Sequence, residues 1–265
     1  MNESIYKLEP SRIWHYFGEI LNIPRPSKKE EKIAKYLLDF GNSQGLETRQ
    51  DEIGNVLIRK PATAGMENRK TVVLQSHIDM VGEKNQNKEH DFENDPIEAY
   101  VEDGWVKAKD TTLGADCGIG MAAQLAILES DDISHGPIEC LFTVDEETGL
   151  TGAFGLRPGF LKGEVLLNLD SEDDGLLFIG CAGGKDTIAE LKYTRIEVPA
   201  GSKSFKISVT GLKGGHSGDD IEKGLGNANK ILNRALWNAS RDFNLRLSEF
   251  DGGNLRNAIA REAFA

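Results

Sequence analysis

Apolar residues recur at helical spacing from residue 10 to 21 and again from 28 to 43, where Ile33, Leu37 and Phe40 share one face. The spacing predicts two opening helices, with Ser27 as the N-cap of the second, ahead of Glu30. Shorter apolar or β-branched runs follow at Val56 to Ile58, Thr71 to Leu74, Ile138 to Val144 and Val165 to Leu169, each bounded by turn residues. The longest gap between them holds the helical pattern Gly118 to Glu129. Strands alternating with helices predict an α/β layered fold with much of its sheet parallel. In open sheets of that kind ligands bind beyond the carboxyl ends of the strands, where His77, Glu146 and Asp170 stand.

Past about residue 185 the pattern changes. Ser204 to Thr210 alternates as a half-buried antiparallel strand, Gly211 to Gly218 reads as a loop, and Leu225 to Trp237 is helical. This predicts a second, α+β unit, dividing the chain into 1–186 and 187–265. There is no internal repeat or low-complexity tract.

Composition narrows the partners. The 31 basic against 43 acidic residues leave a formal charge of −12, which argues against nucleic acid or an anionic membrane as partner. No stretch approaches the roughly 18 apolar residues of a membrane span, and the N-terminus lacks the apolar core of a signal peptide. Cys117, Cys140 and Cys181 form no CxxC pair, so they read as reduced thiols of a cytoplasmic chain.

Five carboxylates and one histidine make up the candidate chemistry. If the strand persists from His77 to Asp79, two residues on, both project to one side, so one can bind a metal while the other orients it. Asp116 lies between Gly114 and Gly118, where the backbone can approach an anionic group closely. The Glu146-Glu147 pair leaves a strand end in two directions, and Asp170 ends an apolar strand, where an ion is costly to bury without a cation or donors. Together these stations suit two divalent cations.

Leu74-Gln-Ser-His-Ile-Asp-Met-Val, Thr112-Leu-Gly-Ala-Asp-Cys-Gly-Ile-Gly, Phe142-Thr-Val-Asp-Glu-Glu-Thr-Gly-Leu-Thr-Gly-Ala and Leu167-Asn-Leu-Asp-Ser-Glu, in this order, resemble the di-zinc metallopeptidases of the M20 family. The resemblance implies a zinc-peptidase-like mixed, largely parallel sheet flanked by helices, plus a partial α+β lid or dimerisation domain. It implies that His77 and Asp170 hold one zinc, that Asp116 bridges, and that Glu147 helps hold the other; Co²⁺ or Mn²⁺ suits the same donors. Glu146 is then the general base and Asp79 steers His77. The implied reaction is metal-dependent hydrolysis of small dipeptides of the Xaa-His type, such as β-alanyl-histidine. The alternatives are another M20 reaction, tripeptide cleavage or N-acyl amino acid deacylation, or a non-catalytic homologue that binds one metal.

In the second unit, His216 in Lys213-Gly-Gly-His-Ser-Gly resembles a family histidine that stabilises the oxyanion, often in the partner subunit's site, so a homodimer through this unit is implied. Asn257, closing Gly252-Gly-Asn-Leu-Arg-Asn, resembles a substrate-contacting asparagine. His15, His90 and His135 read as structural or surface residues. Two departures from the family stand out. Cys117 replaces the usual Asp or Asn after the bridging aspartate, where the family's peptide bond is typically cis. The family's further zinc-ligating histidine, near its C-terminus, has no counterpart up to Ala265, which implies at most one tightly held metal and weak hydrolysis for these 265 residues.

Overall fold

The computed structural model describes residues 2–171, 173–181, 183, 187–218, 220–253 and 255–265. It divides into two compact units, Met1–Leu177 and Phe178–Ala265. The boundary expected at residue 186 lies outside the described residues.

The first unit opens with helices α1 (Ser11–Leu21) and α2 (Glu31–Ser43), followed by strands β1 (Glu47–Gln50), β2 (Val56–Lys60) and β3 (Val72–His77). A hairpin of β4 (Ala99–Glu102) and β5 (Trp105–Ala108) precedes helix α3 (Ala115–Glu129). Strand β6 (Ile138–Thr143), the single turns α4 (Glu146–Gly149) and α5 (Thr151–Phe154), and strand β7 (Val165–Asn168) complete it. The sheet runs β1-β2-β6-β3-β7 and is mixed. β3 is parallel to both β6 and β7, whereas β1 and β2 form an antiparallel flank.

Alternation along the strands gives the sheet two faces. Val56, Ile58, Leu74, Cys140 and Phe142 join Phe17, Ile20, Ile33, Leu37, Met121 and Leu125 in the main core under α1, α2 and α3. Leu57, Val73 and Leu141 point the other way, against Leu156, Phe160 and Leu161. Polar side chains lock helix to sheet inside this core. Gln124 of α3 donates to the carbonyls of Leu74 at 2.7 Å and Leu141 at 3.3 Å, and Ser76 donates to Gln124. Lys60 donates to the carbonyls of Ile127, Leu128 and Ser130, closing the C-terminal end of α3, whose last carbonyls have no intrahelical donor.

Several elements depart from the sequence expectation. α2 takes Glu30, not Ser27, at its N-cap position. The Ser27 hydroxyl donates instead to Asp79 Oδ2 at 2.7 Å, a charge-assisted bond stronger than a neutral cap. α3 starts at Ala115 rather than Gly118, with non-helical torsions at Asp116 and Cys117 and a cis peptide bond between them, the geometry expected there. Strand β7 is exposed along its length despite its apolar sequence.

The second unit contains strand β8 (Ser208–Val209), helix α6 (Ala228–Asp242), and strands β9 (Asp251–Gly252) and β10 (Ala263–Phe264). β10 lies between β8 and β9, antiparallel to both. The strand expected over Ser204 to Thr210 is cut to two residues, since β10 pairs only with Ser208 and Val209, and Ile207 and Ala265 exchange backbone bonds beyond them. α6 begins after Leu225 because the Asn227 side chain accepts from Lys230 N and fixes the start there. Ala228, Leu232 and Leu236 form its buried stripe. Cys117 and Cys140 are buried and Cys181 is exposed, all three free. No helix among the described residues is long and apolar enough to cross a membrane.

One ion pair braces the sheet behind the site. Glu139 of β6 accepts from Arg59 Nε of β2 at 2.6 Å and from the backbone amides of Lys162 and Gly163, which lead into β7. Burial would raise the Glu139 carboxyl, but these donors outweigh it and hold it below the ordinary range. A carboxyl depressed on folding stabilises above its unfolded pKa of about 4.3 and loses that contribution as pH falls through the folded value. Glu139→Gln should therefore destabilise by about 2 kcal/mol near pH 7, the scale of hydrogen bonds to a charged group. The difference from the parent should shrink below about pH 4, as read by denaturant melts at several pH values.

Candidate metal centre

Parallel pairing brings the ends of three strands together. His77 ends β3 opposite Thr143 of β6, and the Ile78 amide donates to Thr143 O at 2.9 Å. Gln75 donates to Thr143 Oγ1 at 3.1 Å and accepts from Asn168 of β7, while the Leu169 amide donates to Gln75 O at 2.8 Å. Asp170 and the Glu146-Glu147 turn thus emerge on the same side as His77.

The His77 ring is wholly buried between carboxylates. Its Nε2 lies 2.8 Å from Asp116 Oδ1 and 3.5 Å from Asp170 Oδ1, and its Nδ1 lies 3.2 Å from Asp79 Oδ1. Burial would lower the His77 pKa, but the bonds to Asp116, Asp170 and Asp79 reverse that and raise it strongly. Burial opposes ionisation of Asp79 and Asp170 too, yet His77 holds both below the ordinary carboxylate value. Glu147 goes the other way, pushed up to about 7 by burial and then by the charge of Asp116. Burial also raises Glu146.

Asp79 organises this edge from behind. Its carboxylate faces His77 Nδ1 and accepts from the Ser27 hydroxyl, the Glu146 amide at 3.0 Å and the Glu147 amide at 3.2 Å. One buried anion thereby orients the imidazole and seats the turn that carries both glutamates. Glu30 accepts from the amide of Asp145, and Asp145 accepts from the hydroxyls of Thr148 and Thr151, so these further buried acids serve to fold the same turn. Asp145 takes a left-handed conformation (φ 50°), which bends the chain from β6 into α4.

Two overlapping donor groups converge at this edge. Ligand atoms of His77, Cys117 and Asp170 all lie within 4.8 Å of one another, and so do those of His77, Glu146 and Glu147. Imidazole and carboxylate donors suit Zn²⁺, Co²⁺ or Mn²⁺. Among the described residues these donor atoms converge without a protein cation other than His77 among them, so the residues present fit the metals that the sequence implies.

Of the residues singled out by sequence, the first unit brings together His77, Asp79, Asp116, Glu146, Glu147 and Asp170. His216 and Asn257 lie in the second unit on adjoining loops. The Ser217 amide donates to Asn257 O at 2.8 Å, and His216 bridges to Ala258. His216 Nδ1 accepts from the Gly218 amide at 3.1 Å, which leaves the ring proton on Nε2. The residues that sequence reading passes over are Ser27, Glu30, Asp145 and above all Arg25, a buried arginine between α1 and α2. The space at Gly114 and Gly118, expected to admit an anionic group, is taken by the Arg25 guanidinium.

Asp79→Asn keeps the shape of the side chain while removing the charge that three donors besides His77 address. The variant should stay folded by circular dichroism and bind Zn²⁺ about 10- to 100-fold more weakly in calorimetric titration, the usual cost of losing a residue that orients a ligand.

Comparison with known proteins agrees with this chemistry. Residues 73–210 match the family described as Peptidase family M20/M25/M40, and residues 200–265 match a peptidase dimerisation domain. The cytosol non-specific dipeptidase of Escherichia coli (strain K12) is 52% identical over 259 residues, 98% of this chain and 53% of that protein. The crystal structure of aminoacylhistidine dipeptidase from Vibrio alginolyticus superposes with a TM-score of 0.67 at 54% identity, over 98% of this chain and 53% of that one. A tripeptidase from Staphylococcus aureus, at 22% identity and a TM-score of 0.53 over 97% of this chain and 65% of that one, shares the fold. The chain spans about half the length of the two dipeptidases it matches. On the match across residues 73–210, which carry the candidate donors and the strands between them, the chain belongs to the M20/M25/M40 peptidase family.

Proposed function

We propose that this chain carries the metal-binding half-site of a metallodipeptidase that cleaves Xaa-His dipeptides such as β-alanyl-histidine. The observation that carries the reading is the convergence of His77 with Asp116, Asp170, Glu146 and Glu147 at the open ends of parallel strands. Its resemblance to two dipeptidases at more than 50% identity favours dipeptides over the other substrates of the family.

His77, Asp116 and Asp170 would hold one Zn²⁺, and Asp116 and Glu147 would contribute to a second. A bound metal supplies Lewis acidity, which makes water nucleophilic near neutral pH and polarises the peptide carbonyl. Glu146 takes the proton from the attacking water on its carboxylate and delivers it to the leaving amine. Partial burial raises its pKa, which suits a group that must both accept and return a proton. Asp79 keeps the His77 ring in one tautomer, with Nε2 directed at Asp116 and Asp170. His216, with its proton on Nε2, is assigned to stabilising the oxyanion, and Asn257 to holding substrate.

The E. coli relative supports a cytoplasmic location, and the dimerisation-domain match supports a homodimer through the second unit. On α6, Ile231 and Trp237 are exposed apolar residues on that unit's surface.

The test measures zinc content and β-alanyl-histidine hydrolysis for this chain, for the chain extended by any coding sequence that follows it, and for Glu146→Gln in the more active form. The Gln variant should keep its metal and lose at least about 100-fold in kcat, the scale of general acid–base catalysis. If neither form hydrolyses any dipeptide, the reading fails; hydrolysis of tripeptides or N-acyl amino acids alone would move the assignment within the family.

A further inference from the structure

We propose that Arg25 is a positioning residue: its guanidinium clamps the end of β3 to the loop before α3 and so sets the separation of His77 and Asp116. This rests on the metal-centre reading above and goes beyond it, since the hydrogen bonds of the Arg25 guanidinium go to backbone carbonyls rather than to the candidate donors.

Arg25 is 2% exposed, and the hydrogen bonds of its guanidinium go to backbone carbonyls. Nη1 donates to Ile78 O at 3.0 Å and to Asp79 O at 2.5 Å, and Nη2 donates to Gly114 O. Its own carbonyl accepts from the Met80 amide at 3.1 Å, anchoring the arginine to the same strand end. Ile78 follows His77 directly, and Gly114 precedes Asp116 by two residues. A planar, rigid fork thus spans the two segments whose side chains meet at His77 Nε2 and Asp116 Oδ1.

The local sequence makes room for this fork. A Cβ on Gly114, where φ is +71°, would sit 2.8 Å from Nη2, and a Cβ on Gly118 would sit at the same distance. Both glycines therefore bracket a cation supplied by the chain itself.

Charge alone does not account for the residue. Burial lowers the Arg25 pKa to about 10, with Asp79, Cys117 and Asp116 opposing that shift, so the group is cationic at neutral pH. A fixed positive charge beside a centre for divalent cations repels them. Its value to the site lies in geometry, and this gives positioning and electrostatics opposite signs in experiment.

The test titrates the whole chain with Co²⁺, reading affinity by calorimetry and ligand geometry by the visible spectrum, for the parent, Arg25→Lys and Arg25→Met. Lysine keeps the charge but reaches only one of the two segments; methionine removes the charge. Both should bind Co²⁺ about 10- to 100-fold more weakly, with an altered spectrum, as for other residues that orient metal ligands. Thermal melting of the metal-free proteins checks the fold. Should both variants fail to fold, Gly118→Ala pushes a methyl against Nη2 while favouring the helix, and should show the same weakening. Parent-like affinity and spectrum in Arg25→Lys, or in Gly118→Ala where that variant stands in, overturn the proposal, as does tighter binding by Arg25→Met. If the parent itself takes up no Co²⁺, the metal-centre reading falls, an outcome separate from a parent that binds and variants that match it.

Discussion

A carboxylate with no solvent exposure sits at the end of β3, and the chain is arranged to keep it ionised. Burying an isolated anion is among the most expensive things a fold can do. Asp79 is held charged because donors arrive from three directions: the imidazole of His77 at the end of β3, the Ser27 hydroxyl from between the first two helices, and the amides that open the Glu146-Glu147 turn. Removing any of these leaves the others facing an uncompensated charge. The same need that orients His77 therefore brings the two glutamates to it, so the site's assembly and its electrostatics have a single cause.

Around that anion the site is overcharged. His77 faces Asp116 and Asp170 on one nitrogen and Asp79 on the other, while Glu146 and Glu147 close the same edge. The bonds to Asp116, Asp170 and Asp79 raise the His77 pKa, while burial and then the neighbouring charges raise those of Glu146 and Glu147. This is the balance expected of donors selected to meet divalent ions.

Much of this was legible in the sequence, for reasons of spacing. Short apolar runs ending in His or Asp mark strand ends, and parallel order then puts those ends on one edge, so His77, Glu146 and Asp170 could be grouped before any coordinates. Contacts between distant residues left no such trace. Ser27 read as a helix cap because the cap pattern is local, whereas its partner Asp79 is 52 residues away. Arg25 looked like any polar residue between two helices; its burial depends on carbonyls of Ile78, Asp79 and Gly114, which no periodicity encodes. The apolar run of β7 marked a strand, but apolarity does not say which neighbour covers it, and here Val165, Leu166 and Leu167 are exposed. The strand expected over Ser204 to Thr210 failed similarly, because strand length is set by the partner's length.

The two-faced alternation of β3 constrains how such a protein can vary. Val73, Gln75 and His77 share one parity, Leu74 and Ser76 the other, and Ser76 is held by Gln124 inside the helical layer. Inserting or deleting a single residue within β3 exchanges the two sets, carrying the imidazole into the apolar layer and a core residue into its place. Paired insertions, or changes in the excursion between Met80 and Leu113, preserve the parity. A change of length is thus tolerated by the fold in that excursion and not, when odd, in the strand beside it, a rule of odd and even numbers rather than of chemistry.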